Sequence, residues 1–384
     1  MSLLAIIGRL PAISIAELES VFGPESIRRI ESHAVELETN IISSDIFESI
    51  GGTLKVAQQL RRTPNTNWHI VTKNVEELIS EIAGQMPEGK ATLGISVHGL
   101  NVNARQINGT ALALKKALKK SGRSVRVVPN SEPALNTAQV MHNKLAGPNG
   151  IEIIIIKDGN AAVIGRTVWS QNIDDYARRD QARPMRDARV GMLPPKLAQT
   201  IIHLAGAKPE INILDPFCGT GVLLQEALLM GCRAIGSDIE PRMIEYSKGN
   251  LKWLGRDNYS LTIADATSHT WQEKFDAIAS ETYLGRPLTS LPSSETLNKI
   301  IQDCNTIHKK FLQNVARQTK SGFRMCVAVP AWKTRNSFKH LPVLDHLEEL
   351  GYNRLSFVHA NNSELIYHRE GQIVARELVV LRRM

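Results

Sequence analysis

Ile211-Asn212-Ile213-Leu214-Asp215-Pro216-Phe217-Cys218-Gly219-Thr220-Gly221 decides how this chain is to be read. Ile211 to Leu214 is a short apolar strand, the two glycines open a tight loop, and Val222 to Met230 carries helical apolar spacing. A strand that runs through a glycine loop into a helix is the ligand-binding corner of a doubly wound sheet, where ligands lie beyond the carboxyl ends of the strands. The alternation continues downstream with a strand at 233–237, a helix at 241–253 and strands at 260–263 and 275–279. A strand at 323–329, a helix near 340–350 and strands near Leu355, Leu365 and Leu378 follow, the last strands split at Glu370-Gly371 as an antiparallel hairpin. Residues 192–384 are therefore predicted to form an α/β domain, a parallel sheet with helices on both faces.

The loop is not built for a dinucleotide or a triphosphate. Gly-x-Gly-x-x-Gly would need glycine where Leu224 stands, and no Gly-Lys-Ser/Thr follows. Asp215, just ahead of the loop, suits a ligand with a cationic amino-acid part and no pyrophosphate. Asp238 ends the next strand, 19 residues after Gly219, where a carboxylate accepts from both ribose hydroxyls. Asp265-Ala266 ends the third strand, placed to meet an adenine and its amino group. An aspartate at a strand end often does no more than cap the next helix. Three in register point instead to one ligand made of an amino acid, a ribose and an adenine: S-adenosylmethionine.

The N-terminal half reads differently. A strand at Leu3 to Ile7 precedes a helix opened by the Ser14/Glu17 capping box and closed at Gly23; strand pattern at 27–38 and a helix at 44–50 complete a small α+β unit over 1–65. Residues 66–170 carry a strand at 93–97, a helix at 110–120, a strand at 125–128 and a helix at 136–145. The unit closes with strands at 151–156 and 161–169, which Asp158-Gly159 turns into an antiparallel hairpin. The helix at 110–120 puts Leu114 and Leu118 on one stripe and Lys115, Lys116, Lys119 and Lys120 around the other side. Residues 171–191 form a linker with Pro184 and no hydrophobic periodicity, in which Arg178, Arg179, Arg183, Arg186 and Arg189 suit a track of phosphates, unless Asp180 and Asp187 pair with some of them.

Composition bounds these readings. The chain has 384 residues, 42% hydrophobic and 22% charged, enough for two or three folded units and too apolar for disorder. Its net charge of +8 is mild, but residues 51–190 hold 20 basic groups against 11 acidic ones, whereas residues 1–50 hold 3 against 8. The excess peaks at 101–150, where Glu132 is the only acid. No apolar run approaches the roughly 18 residues of a membrane span, and Pro11 and Glu17 interrupt the apolar N-terminus where a signal would need to continue, so a cytoplasmic protein is expected. Cys218, Cys232, Cys304 and Cys326 are widely spaced, and neither a disulfide framework nor a metal site is expected.

With these residues in view, the chain resembles the THUMP-domain RNA methyltransferases, especially the archaeal and eukaryotic type that methylates N2 of guanine in tRNA. Asp215 to Gly221 is similar to that family's first methyltransferase motif, and residues 192–198 with 202–205 to its lead-in helix; residues 92–169 look like a THUMP domain and the first ~65 like the ferredoxin-like unit before it. The resemblance implies a Rossmann-like methyltransferase domain behind two smaller α+β units. It implies cofactor contacts at Asp215, Phe217, Gly219, Gly221, Asp238, Ile239, Asp265 and Ala266, RNA held by the four lysines and by Arg178, Arg179, Arg183 and Arg186, and tRNA as the first RNA to consider. A small activating subunit, which some relatives need, is left open, as is the oligomeric state.

The departure is at the catalytic loop. Where the family carries Asp-Pro-Pro-Tyr-Gly or Asn-Pro-Pro-Tyr, this chain has Glu281-Thr282-Tyr283-Leu284-Gly285. Glu281 falls on the acid and Gly285 on the glycine; shifting the frame to put Tyr283 on the aromatic would put Ser280 on the acid and lose the glycine. An exocyclic amine is a poor nucleophile because its lone pair is delocalised, and acceptors for its two hydrogens must aim it at the methyl group. Glu281 keeps the acceptor but reaches one methylene further, and Tyr283 supplies a stacking platform if the loop turns differently. Either the loop is a variant active site, the favoured reading, or the protein binds RNA with little turnover. Methyl transfer to rRNA, DNA or a protein amide is the alternative within the same chemistry.

Overall fold

In the computed structural model, which describes residues 2–39, 44–187, 192–288, 290–335 and 337–384, the chain divides into two units. The first comprises Met1–Pro11, Phe22–Glu48 and Thr53–Asp175, the second Ala12–Val21, Ser49–Gly52 and Tyr176–Met384. The N-terminal elements are β1 (Ser2–Ile7), α1 (Pro11–Phe22), β2 (Ile27–Glu31), β3 (Ala34–Glu38), α2 (Ser44–Glu48), β4 (Thr53–Thr63) and α3 (Trp68–Gln85). They continue with β5 (Ala91–His98), α4 (Ala104–Lys120), β6 (Val125–Val127), α5 (Thr137–His142), β7 (Gly150–Asp158) and β8 (Ala161–Ser170).

Among the described residues, eight strands of the first unit form one sheet in the order β2-β3-β1-β4-β8-β7-β5-β6. The units expected at 1–65 and 66–170 are therefore joined. The joint is β4, which pairs with β1 on one edge and with β8 on the other, in antiparallel register from Lys55↔Ser170 to Thr63↔Ala162. An interior strand has two rows of backbone donors and acceptors, and pairing both leaves neither edge open. A buried polar row crosses β4, β8, β7 and β5: Lys55 on β4 donates to Glu152 on β7 at 2.6 Å, and Glu152 also accepts from Thr167 on β8 and Ser96 on β5. Because a one-residue slip would put the Lys55 charge on the other face, this row fixes the register that the hydrophobic pattern alone permits. The hairpin β7–β8 turns at Asp158-Gly159 as its sequence predicts, and Gly159 has φ +60°. On α4, whose N-terminus is closed by an Asn103/Gln106 capping box, Leu114 and Leu118 are buried while Lys116, Lys119 and Lys120 are exposed and Lys115 is half-buried.

Helix α6 (Ile173–Gln181), which belongs to the second unit from Tyr176 on, stands where a structureless linker was expected, and α7 (Pro195–Leu204) follows it. The unit continues with β9 (Asn212–Asp215), α8 (Val222–Leu229), β10 (Arg233–Asp238), α9 (Pro241–Leu254), β11 (Tyr259–Ile263), β12 (Ala277–Glu281) and α10 (Ser294–Gln318). The C-terminal strands are β13 (Arg324–Lys333), β14 (Phe338–Lys339), β15 (Tyr352–Arg354), β16 (Ile366–Tyr367) and β17 (Val374–Arg383). The sheet order is β11-β10-β9-β12-β13-β17-β15, parallel from β11 to β13, with β17 antiparallel to β13. Strand order reverses between β9 and β12, and the crevice at that switch point faces the glycine loop.

The helix expected near 340–350 is two 3₁₀ turns, Pro342–His346 and Glu348–Leu350, the second closed by Gly351 in the left-handed region. In its place the long α10 covers the sheet. Leu297, Ile301, Cys304, Phe311, Leu312 and Val315 lie on its buried stripe, and each large apolar side chain so buried contributes about 1.5–3 kcal/mol. The central residues of α1 also belong to this unit: Glu17 accepts from Gly51 N at 3.0 Å, Gly52 N at 2.7 Å and His203 Nδ1 at 3.0 Å, and Glu19 accepts from the backbone of Val358 and His359.

Candidate active site

The glycine loop is shaped by its backbone. Gly219 has φ +50° and Gly221, which caps α8, has φ +82°, both in the left-handed region. A Cβ on Gly221 would stand 2.8 Å from Ser247 Oγ, so the helix α9 leaves no room for one. At Gly219 the same test meets only the Phe217 carbonyl, at 4.0 Å: the space above it is open. Gly219 N–H donates to Asp238 Oδ2 at 2.9 Å and its carbonyl accepts from Ser247 Oγ at 2.8 Å. Asn250 donates to the carbonyls of Thr220 and Met185, at 2.8 and 2.9 Å, and so ties the segment after α6 to the loop.

Three acids stand at the carboxyl ends of three adjacent strands. Asp215 is buried at the end of β9, where its Oδ1 accepts from Ser280 Oγ at 2.6 Å and from Phe217 N at 3.2 Å. Burial pushes its pKa up to about 7; those two hydrogen bonds oppose the rise and the carboxylates of Asp238 and Glu281 add to it. Asp238, at the end of β10, is also raised by burial, against the N–H groups of Glu240 and Gly219 that it accepts from. Asp265 follows β11 and is exposed, its Oδ1 accepting from the backbone and hydroxyl of Thr267. Ile239 projects into solvent, 67% exposed, and Phe217 meets Phe311 edge-on at 5.2 Å. Ala266 is buried, with its carbonyl taken by Asn314.

Glu281 ends β12, one strand over from Asp215 across the switch point. A cleft lined by Asp215, Phe217, Gly219, Thr220, Met192 and Glu281 brings the glycine loop and this acid together. Arg376 of β17, itself buried, donates through Nε to Glu281 Oε1. Burial raises the Glu281 pKa and the Arg376 guanidinium opposes that rise. Tyr283 points outward, 39% exposed, whereas Thr282 between them is buried.

Two family models match the chain, one described as a methyltransferase domain over residues 207–369 and one described as a DNA methylase over residues 118–249. Residues 207–369 of the second unit thus match a methyltransferase-domain model.

Among curated relatives, the tRNA (guanine(10)-N2)-dimethyltransferase of Methanothermobacter thermautotrophicus is 35% identical over 153 residues, which span 39% of this chain and 43% of that protein. The enzyme of the same name from Pyrococcus abyssi is 28% identical over 276 residues, 69% of this chain and 75% of that protein. Over whole chains the fold is similar to TrmN from Thermus thermophilus, with TM-score 0.54, 16% identity and coverage of 100% and 99%. It is also similar to SMU.472 in complex with SAH, with TM-score 0.52, 14% identity and coverage of 100% and 97%.

The arginine track expected ahead of the methyltransferase domain is only partly a surface. Arg179 is buried, with Nε 2.8 Å from Glu226 Oε1, and Gln199 donates to the other oxygen of that carboxylate at 2.9 Å. Arg183 is also buried, so neither side chain is placed to track phosphates. Helix α6 carries Arg179 inward because a carboxylate on α8 awaits it, and a buried carboxylate without a cation is costly. Arg178 and Arg186 are exposed, Arg178 lying over the Trp253 ring at 5.3 Å; Arg189 lies outside the described residues. Sequence reasoning missed Ser247, Asn250, Ser280 and Arg376. Ser247 and Asn250 left a signal, polar residues on the stripe of α9 that buries Met243, Ile244 and Leu251. Among the described residues no helix is long and apolar enough to cross a membrane, and no cluster of His, Cys, Asp and Glu could hold a metal ion.

Proposed function

We propose that this chain is a cytoplasmic S-adenosylmethionine-dependent tRNA methyltransferase acting on an exocyclic amine, N2 of guanine. The observation that carries the reading is the cleft in which Asp215, the open face of Gly219 and Glu281 meet at the ends of neighbouring parallel strands. The names of the curated relatives favour tRNA and N2 of guanine over DNA or a protein amide.

The residues present fit the donor. Asp215 supplies a buried carboxylate for an α-ammonium, Asp238 accepts from ribose hydroxyls, and Ile239 with Asp265 and the Ala266 backbone frames an adenine. Behind Met192, which lines the cleft, Arg183 offers an anion-binding group: its Nη2 lies 3.1 Å from Met192 Sδ, and its buried Nε and Nη1 have no hydrogen-bond partner among the described residues. A buried guanidinium with two unmet donors fits a carboxylate ligand. When bound, S-adenosylmethionine supplies a methyl group on a sulfonium, electrophilic enough for direct displacement.

On the acceptor side, Glu281 accepts a hydrogen from the amine while loop carbonyls take the other, which turns the nitrogen lone pair toward the methyl group. Arg376 fixes the Glu281 carboxylate, and burial raises its affinity for the proton that the alkylated nitrogen sheds. The exposed Tyr283 ring offers the flipped base a stacking face. Basic side chains of α4, with Arg178 and Arg186, hold the RNA backbone.

The test is methyl transfer from labelled donor to bulk tRNA, rRNA, DNA and protein, followed by nucleoside digestion. Label in tRNA as N2-methylated guanine is the expected result. Label absent from tRNA, or present in another base, overturns it.

A further inference from the structure

We propose that Thr282 and His308 form a positioning pair that fixes the acceptor loop 281–285 in the direction methyl transfer requires; the proposal rests on the functional reading above. The loop has no proline to set its backbone. It is held instead by helix α10 and strand β13. Thr282 N donates to the Ala328 carbonyl at 3.1 Å, and Thr282 Oγ1 lies 2.7 Å from His308 Nε2 and 2.9 Å from the same carbonyl. His308 Nδ1 is 2.7 Å from the Cys304 carbonyl of its own helix. A carbonyl only accepts, so Nδ1 carries the proton and Nε2 is an acceptor, and the single hydrogen of the threonine hydroxyl is shared between Nε2 and the Ala328 carbonyl. Burial pushes the ring's pKa down to about 4, which keeps it neutral in that tautomer.

One helical turn earlier, Cys304 bounds the other end of the loop: its Sγ would be 3.2 Å from a Cβ on Gly285, which has φ +86°. Two residues of one turn of α10 thus meet the loop, His308 bonding Thr282 and Cys304 leaving no room for a side chain at Gly285, and the chain between presents Tyr283 outward. The neighbouring residue on the strand side is Glu281. Valine would fill the Thr282 site as well as threonine does, so the hydroxyl–imidazole bond adds direction where packing alone would add only volume. Both residues act through Glu281 and Tyr283 and touch neither reactant.

The experiment compares Thr282→Val, Thr282→Ser, His308→Leu and the double variant Thr282→Val/His308→Leu in full-length protein with tRNA and labelled donor. The expected result is a fall in kcat on the order of 10- to 100-fold for Thr282→Val, with tRNA KM and donor Kd within about twofold, and recovery by Thr282→Ser, which keeps the hydroxyl. The double variant should be no slower than the slower single variant, since the two residues make one bond. Full kcat in Thr282→Val, or an equal loss in Thr282→Ser, overturns the proposal. Amide hydrogen exchange over 281–285 supplies a second arm that needs no turnover: it should accelerate roughly tenfold or more in Thr282→Val while the glycine loop is unchanged. Unchanged exchange overturns the pair even in a wild type that transfers methyl to something other than tRNA, whereas wild-type inactivity on tRNA with accelerated exchange removes the functional reading alone.

Discussion

Two loops leave the same sheet on either side of its switch point, and they are held by opposite means. The loop at 215–221 is set by backbone: positive φ at Gly219 and Gly221, a Ser247 contact that excludes any Cβ, and a Gly219 N–H given to Asp238. The loop at 281–285 is set by side chains from distant elements, with Arg376 of β17 on Glu281 and His308 of α10 on Thr282. A loop specified by its own glycines can be recognised wherever it occurs. A loop specified by partners 26 and 95 residues away cannot, because nothing local states what will be bonded to it.

The contrast can be broken or sharpened by experiment. The largest effect is expected at the acceptor side, where Glu281→Ala should lower kcat on the order of 1,000-fold while calorimetry shows donor Kd unchanged; a parallel loss of donor affinity would mean that the two loops are not separate in function. On the glycine side, donor binding should depend on pH. Below about 7 the buried Asp215 holds a proton that it must release to meet an ammonium, so affinity should fall by up to about tenfold per pH unit as pH drops further. Titration in buffers of different ionisation enthalpy should show proton release near neutral pH. Because the folded pKa lies above the free value of 3.8, the ligand-free protein should lose stability as pH rises from 3.8 to about 7, and thermal melts across that window give the slope.

Gly221→Ala should cost about 1–2 kcal/mol for left-handed backbone alone, more with the Ser247 contact, and lower the melting temperature along with donor affinity. The smallest effect is expected on helix α4 of the first unit. Changing Lys115, Lys116, Lys119 and Lys120 to Gln should raise tRNA KM and flatten its dependence on salt, by about 0.7–0.9 in log–log slope for each phosphate no longer neutralised, with kcat at saturation unchanged. The salt dependence of KM in the variant checks it.

The two basic clusters show how unevenly a sequence reports on its own surface. Around Lys115 to Lys120 the leucines at i, i+4 marked one face of a helix as buried, and the lysines fall on the other side as their spacing requires. The arginines from 178 to 186 carried no such stripe. Their fate was decided by Glu226 and Gln199, which draw Arg179 inward, and by Met192 beside Arg183. Helix α10 was legible in principle, since Leu297, Ile301, Cys304 and His308 recur every three or four residues and Ser293 caps it, yet it passed without a reading beside the louder glycine motif.

By itself the sequence determined the alternating strands and helices of the second unit and the glycine loop with its acids at three strand ends. Those features are local: period, turn chemistry and the two-residue alternation of strands are written within a few positions of where they act. Tertiary structure alone decided that β4 joins the first eight strands into one sheet, that Arg179 and Arg183 are interior, and that Glu281 is met by Arg376 and Thr282 by His308. Each of these is a pairing between groups far apart in the chain, fixed by the cost of leaving a buried donor, acceptor or charge unmet, and that cost exists only once folding has removed the water.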